Sequence, residues 1–132
     1  MALPIMDLGE LRIEVTDIAD GPLVRVDWRG KGNALQPTVA LAPIFDDVLA
    51  RARAGNATVD MHFEELEFFN SATITAVLHF IRRARAERRT VVLNYHGGLR
   101  WQRYCFDALA AFEKDDGLVR IRPLELPSPS RA

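Results

Sequence analysis

Residues 89–96, RTVVLNYH, form a nearly continuous apolar run rich in β-branched side chains. A half-exposed antiparallel strand would alternate polar and apolar residues; an unbroken run reads as a strand covered on both faces, the usual condition of a parallel sheet. Parallel strands need a crossover of a dozen or more residues, usually a helix. Helical patterns stand on both sides of this run. Upstream, Ile74, Val77, Leu78 and Ile81 recur at i, i+3, i+4 and i+7, which lines one helix face with apolar groups. Downstream, past Gly97-Gly98, Trp101, Tyr104, Cys105, Ala108, Leu109 and Phe112 share a face at helical spacing, and Gly117 supplies a stop.

The rest of the chain extends this alternation. Residues 10–17 place Leu11, Ile13 and Val15 between polar neighbours, the period of a strand. Asp20-Gly21-Pro22 is turn chemistry, and Leu23, Val24, Val26 and Trp28 follow, so a hairpin is expected. GKGNALQPT reads as a loop. From Pro43 to Ala54 the residues Ile44, Phe45, Val48, Leu49 and Ala52 predict a helix, with Pro43 in its first turn and Gly55-Asn56 closing it. ATVDMHF, residues 57–63, is a further strand, EELEFFN a loop, and LVRIRPL a last short strand. The resulting order is β-β-α-β-α-β-α-β. It predicts an α/β fold with a mixed sheet and helices packed against it, in a single domain over residues 1–126 with 127–132 as a loose tail.

Composition narrows the function classes. A net charge of -1 gives no global attraction to nucleic acid or anionic lipid. The single cysteine, Cys105, excludes an internal disulfide framework and any CxxC motif. No apolar run approaches the ~18 residues of a membrane helix, and no cationic segment followed by a long apolar stretch opens the chain, so a cytoplasmic location without membrane insertion is expected. His62, His79 and His96 fall into no metal-ligand spacing, and neither GKG nor Gly97-Gly98 matches a phosphate loop, so no metal and no cofactor are expected. His62 reads as a sheet residue with a hydrogen-bond partner, and Cys105 as a small core residue. The carboxylates Glu64, Glu65 and Glu67 read as solvated charge. The basic run Arg82, Arg83, Arg85, Arg88 and Arg89, offset only by Glu87, reads as a solvated face or as a surface for an acidic protein partner. It lacks the aromatic interleaving of a nucleic-acid patch.

One polar pair stands apart. Asn70-Ser71 lies where the apolar pair Phe68-Phe69 meets the helical stripe. Either residue could cap the helix by accepting from amides that lack an intrahelical partner. The same location sits in positive potential, where a phosphorylated hydroxyl would be tolerated. A nucleophilic Ser71 with a remote histidine is the enzymatic alternative, and no motif places a base for it.

The segment VDMHFEELEFFNSATITAVLHFIRRARAERRTVVL resembles the core of STAS domains, the family of the anti-sigma factor antagonists and of sulphate-transporter cytoplasmic tails. There a strand ends in a short loop, an apolar pair, and Asp-Ser-Ser-Gly or Asp-Thr-Ser-Gly opening an amphipathic helix. Phe68-Phe69 match the apolar pair, Asn70 the acid, Ser71 the phosphorylatable hydroxyl and Ala72 the second small residue. Thr73 and Thr75 stand where glycines are usual, which marks a divergent branch. The resemblance spans roughly residues 10–123. It implies a non-enzymatic protein that binds an anti-sigma factor or a related histidine-kinase-like serine kinase and is released from it by phosphorylation. Ser71 would be the modified residue, with Asn70, Ala72, Thr73 and Thr75 as partner-interface candidates. The alternative it leaves open is a constitutive interaction module of a transporter or a multi-protein signalling assembly.

Overall fold

The computed structural model describes residues 5–19, 21–33 and 35–125. The expected tail 127–132 lies outside them. The elements are β1 (Ile5–Leu8), β2 (Leu11–Ile18), β3 (Leu23–Gly32), α1 (Pro37–Gly55), β4 (Thr58–Phe69), α2 (Ser71–Ala86), β5 (Val91–His96), α3 (Arg100–Leu109) with a 3-10 turn at Ala110–Phe112, and β6 (Val119–Leu124). They build one six-stranded sheet in the order β1-β2-β3-β4-β5-β6. The first three strands pair antiparallel; β3, β4, β5 and β6 run parallel. The α/β order read from sequence holds, with β1 added before it. Ile5–Leu8 shows no clear alternation and becomes a strand by pairing with β2 across the Gly9-Glu10 turn.

The helices lie together on one face of the sheet. Phe45 of α1 meets Phe80 of α2 with ring centroids 4.7 Å apart, and Trp28 of β3 at 6.1 Å. Phe106 of α3 stacks on Tyr95 at 4.9 Å and approaches Phe63 at 5.0 Å. One cluster of buried apolar side chains therefore joins all three helices to the inner positions of β2 through β6. Every residue of β5 is buried, as its composition required, yet only Val91, Leu93 and Tyr95 belong to that cluster. On the other face Asn94 is covered by polar neighbours, its amide donating to Asp60 Oδ1 at 2.8 Å and to the Met61 carbonyl at 2.9 Å.

Two boundaries and one helix face depart from expectation. Helix α1 begins at Pro37, six residues before Pro43. Both prolines suit a first turn, but Leu41 continues the buried stripe of Ile44, Phe45, Val48, Leu49 and Ala52, and its burial draws the helix back to Pro37. Pro43 then sits inside the helix on its exposed side, where the missing amide and ring clash are tolerated at a cost of roughly 3 kcal/mol. Strand β4 runs on to Phe69, so EELEFF is strand and not loop. Register shifts between Asp27 and Arg29 and between Gly30 and Lys31 break the alternation, leaving Phe63, Leu66 and Phe69 buried at a spacing of three. Glu64, Glu65 and Glu67 consequently leave the loop assigned to them. Helix α3 turns Gln102, Phe106 and Leu109 inward, while Tyr104 is 80% exposed and Trp101 and Cys105 are only partly buried. The polar Gln102 hid this face: its side chain accepts from the His96 amide at 2.7 Å and donates to the Phe63 and Leu66 carbonyls.

Candidate functional site

The C-terminal end of β4 delivers the chain into α2 through a single residue, Asn70. Asn70 is extended (φ -84°, ψ 164°) and is the N-cap: its Oδ1 accepts from the Thr73 amide at 2.8 Å and from the Thr73 hydroxyl at 2.6 Å. The Asn70 amide donates to the Gly32 carbonyl at 2.8 Å, and the Thr73 hydroxyl also reaches that carbonyl at 3.0 Å. The end of β3 and the start of α2 are thereby tied together. Gly32 leaves room for this closure, because a Cβ there would lie 3.2 Å from the Phe68 carbonyl and 3.3 Å from the Thr73 methyl. The sequence marked GKG as loop and as a failed phosphate site; β3 instead runs through it to Gly32, whose role is close approach.

Ser71 occupies the first helical position and is exposed. Since Asn70 does the capping, the Ser71 hydroxyl has no hydrogen-bond partner among the described residues. Ala72 and Thr75 are exposed beside it, and the Thr75 hydroxyl donates to the Ser71 carbonyl at 3.0 Å. Thr73 is 0% exposed. Its nomination as a partner-contact residue is corrected by that burial: its hydroxyl and methyl are committed inside the fold, where a glycine would have left space. The first turn of α2 carries no acidic residue to offset the positive end of the helix dipole. Of the preceding apolar pair, Phe69 is buried against Trp28, Phe63 and Phe106, whereas Phe68 is 46% exposed at the edge of the site.

A second polar constellation lies on the sheet face that the helices leave open. His62 Nε2 is 2.8 Å from Asp60 Oδ2, and His62 Nδ1 is 3.1 Å from both oxygens of Glu64. Asp60 and Glu64 hold the imidazolium, pushing its pKa up to about 9 against the opposing effect of burial. Burial alone would raise the Asp60 carboxyl, but hydrogen bonds from His62 and Asn94 carry it below its ordinary value. An imidazolium clamped in this way is charged at neutral pH and is a poor general base. Arg25 and Asp27 form a neighbouring ion pair at 3.0 Å. Glu64, read as solvated charge, is instead largely buried at 15% side-chain exposure.

The remaining candidates are structural. Burial raises the Cys105 thiol pKa, which disfavours the reactive thiolate. The basic run is largely consumed within the chain: Arg83 pairs with Asp46 at 2.8 Å, Arg85 with Asp116 at 2.7 Å, and Arg89 donates to Asn56 Oδ1 at 2.9 Å. Its reading as a free surface for an acidic partner therefore contracts to Arg82 and Arg88, both exposed. Among the described residues no group of His, Cys, Asp and Glu is arranged to hold a metal ion, and no helix is long and apolar enough to cross a membrane.

No protein-family model matches the chain, and no curated protein matches it in sequence. A solved structure does. The chain is similar to an uncharacterized protein of the DUF3478 family from Shewanella loihica PV-4, described as having a SpoIIAA-like fold. The TM-score is 0.54 at 14% identity, over 92% of this chain and 89% of that one. The fold is SpoIIAA-like. This agrees with the STAS-like α/β architecture expected from sequence, and at that identity the likeness concerns the fold alone. Within the SpoIIAA-like fold, Ser71 stands at the C-terminal end of the parallel strands, where connecting loops converge in α/β folds.

Proposed function

We propose that this chain is a signalling module of the anti-sigma factor antagonist type, acting by binding and not by chemistry, with Ser71 as its control point. The observation that carries this reading is the division of labour at the start of α2. Asn70 performs the capping, which leaves the Ser71 hydroxyl exposed and without a structural task among the described residues. A phosphate added there would meet helix amides and an uncharged first turn, so the fold would accept it. A partner packed over a neutral hydroxyl would not, because it would have to bury or repel about two negative charges. The partner is an anti-sigma factor or a histidine-kinase-like serine kinase, which would supply the ATP.

The test is affinity for the partner recovered from native lysate, with phosphosite mapping of the chain as isolated. Ser71→Ala should bind like the parent and Ser71→Asp should bind at least tenfold more weakly. Equal affinities for all three would remove the switch. That outcome would favour the second reading, a constitutive module of a transporter or multi-protein assembly. The buried Thr73 latch favours that reading too, since it holds the loop in one state.

A further inference from the structure

Charge is distributed unevenly along the two helices that flank Ser71. Between Lys31 and Asp46 the chain has no Asp, Glu, Lys or Arg, and between Glu67 and Arg82 it again has none, the only titratable side chain there being His79. In a chain that is 27% charged, two such windows of equal length are an imbalance to explain. Burial explains only half of it. Leu35 is 98% exposed, Val39 is 68% exposed, and Ala42, Ala72, Thr75 and His79 are exposed as well.

The structure sets these windows side by side. At their start, Gly32 accepts from the Asn70 amide and the Thr73 hydroxyl. At their end, Asp46 and Arg83 close an ion pair at 2.8 Å. The N-terminal halves of α1 and α2 thus form one uncharged shoulder, with Ser71 at its corner. Beyond the Asp46–Arg83 pair both helices revert to charged surfaces. Depletion of charge with retention of small and apolar groups is the compositional mark of an interface core.

We propose that this shoulder docks one amphipathic helix of a partner protein. The docked helix lays an uncharged apolar stripe along the exposed N-terminal halves of α1 and α2 and carries a carboxylate at the end that passes Arg82. Three features select this occupant. Ala72, Thr75 and His79 repeat at i, i+3 and i+7 on the exposed side of α2, with Val39 and Ala42 one turn apart on α1, so uncharged groups are presented at helical spacing. The exposed uncharged positions number roughly a dozen, about half of the ~20–30 residues a side of a stable interface. They therefore suit a single segment better than a second copy of the chain. At the charged end, Asp46 is neutralised by Arg83, while Arg82 has no ion-pair partner among the described residues, so the local complement is acidic. The proposal rests on the reading of the Ser71 end as the partner face and extends it onto α1.

A displayed library of peptides about five helical turns long, randomised in sequence, is the probe, selected on the full chain. Enriched peptides should show apolar residues at i, i+3/i+4 and i+7 with an acidic end, and should become helical on binding. Val39→Glu and Thr75→Glu should each weaken the selected peptides about tenfold or more, because each buries a new charge in the contact. Ala50→Glu, exposed on α1 beyond the uncharged window, should not. Arg82→Glu should switch the preference to basic-ended peptides. All four positions are exposed, so unchanged melting will show that the fold is intact. Enrichment without helical periodicity, or enrichment insensitive to Val39→Glu, would overturn the proposal. So would dimerisation through the shoulder, or its binding to phosphatidylcholine vesicles in place of peptides. Ser71→Asp read on the same peptides separates the two readings. Loss with Val39→Glu but not with Ser71→Asp keeps the shoulder and removes the switch; the reverse pattern removes the shoulder alone.

Discussion

Asn70→Ala and Ser71→Ala are adjacent truncations of similar size, and the structure assigns them different costs. Asn70 Oδ1 accepts two hydrogen bonds, from the Thr73 amide at 2.8 Å and from the Thr73 hydroxyl at 2.6 Å. Thr73 is 0% exposed, and its amide also donates to the Asn70 carbonyl at 3.1 Å, an acceptor that Asn70→Ala leaves in place. Loss of an N-cap costs about 0.5–2 kcal/mol, and the retained carbonyl acceptor places this site near the middle of that range. The Thr73 hydroxyl retains the Gly32 carbonyl at 3.0 Å, so its share of the loss is small. The expected destabilisation is about 1 kcal/mol, which for a domain of this size lowers the melting temperature by roughly 3–5 °C. Ser71→Ala removes no hydrogen bond among the described residues and should stay within about 0.5 kcal/mol of the parent. Asn70→Asp keeps an acceptor and adds charge at the helix terminus that is favourable by about 0.3–1 kcal/mol, so it should restore the stability lost in Asn70→Ala. Urea unfolding followed by circular dichroism, with equal slopes across the variants, measures all three. If Ser71→Ala costs as much as Asn70→Ala, Ser71 is the cap, and the argument that its hydroxyl is spare for signalling fails.

Other consequences can be checked on the same material. Gln102→Leu should cost about 3 kcal/mol or more in urea unfolding, because it strands the His96 amide and the Phe63 and Leu66 carbonyls in a site that is 0% exposed. A smaller loss would show that α3 is held by Phe106 and Leu109 alone. His62 has its folded pKa raised from 6.5 to about 9, so its stabilisation is complete below about pH 6.5 and is lost as pH rises toward about 9. For a partly solvated ring the change should be about 2 kcal/mol, seen as a falling urea midpoint across that window and absent in His62→Asn. Arg88 closes α2 in the left-handed region at φ 57°, so Arg88→Gly should raise the melting temperature by a few degrees, about 1 kcal/mol; an unchanged value would mean that its side chain compensates the strain.

The sequence by itself determined the alternation of strand and helix, the parallel half of the sheet and the place where α2 starts. These follow from local physics: the apolar run of β5, the i, i+3, i+4, i+7 stripe of Ile74, Val77, Leu78 and Ile81, and the cap chemistry of Asn70-Ser71 declare themselves within a few residues. Which of the two polar residues caps the helix was not local. It depended on Gly32, which lies 41 positions before Thr73 in the chain and accepts from both the Asn70 amide and the Thr73 hydroxyl. The length of β4 escaped because bulges against β3 replaced alternation with a spacing of three, and a register shift has no signature within either strand alone. The inward face of α3 escaped because Gln102 is polar, and only the carbonyls of β4 and the amide of His96 make its burial favourable. The uncharged windows were present in the sequence, but separate segments carry no information about adjacency. Tertiary structure decided that they form one surface, by the Gly32 latch at one end and the Asp46–Arg83 pair at the other.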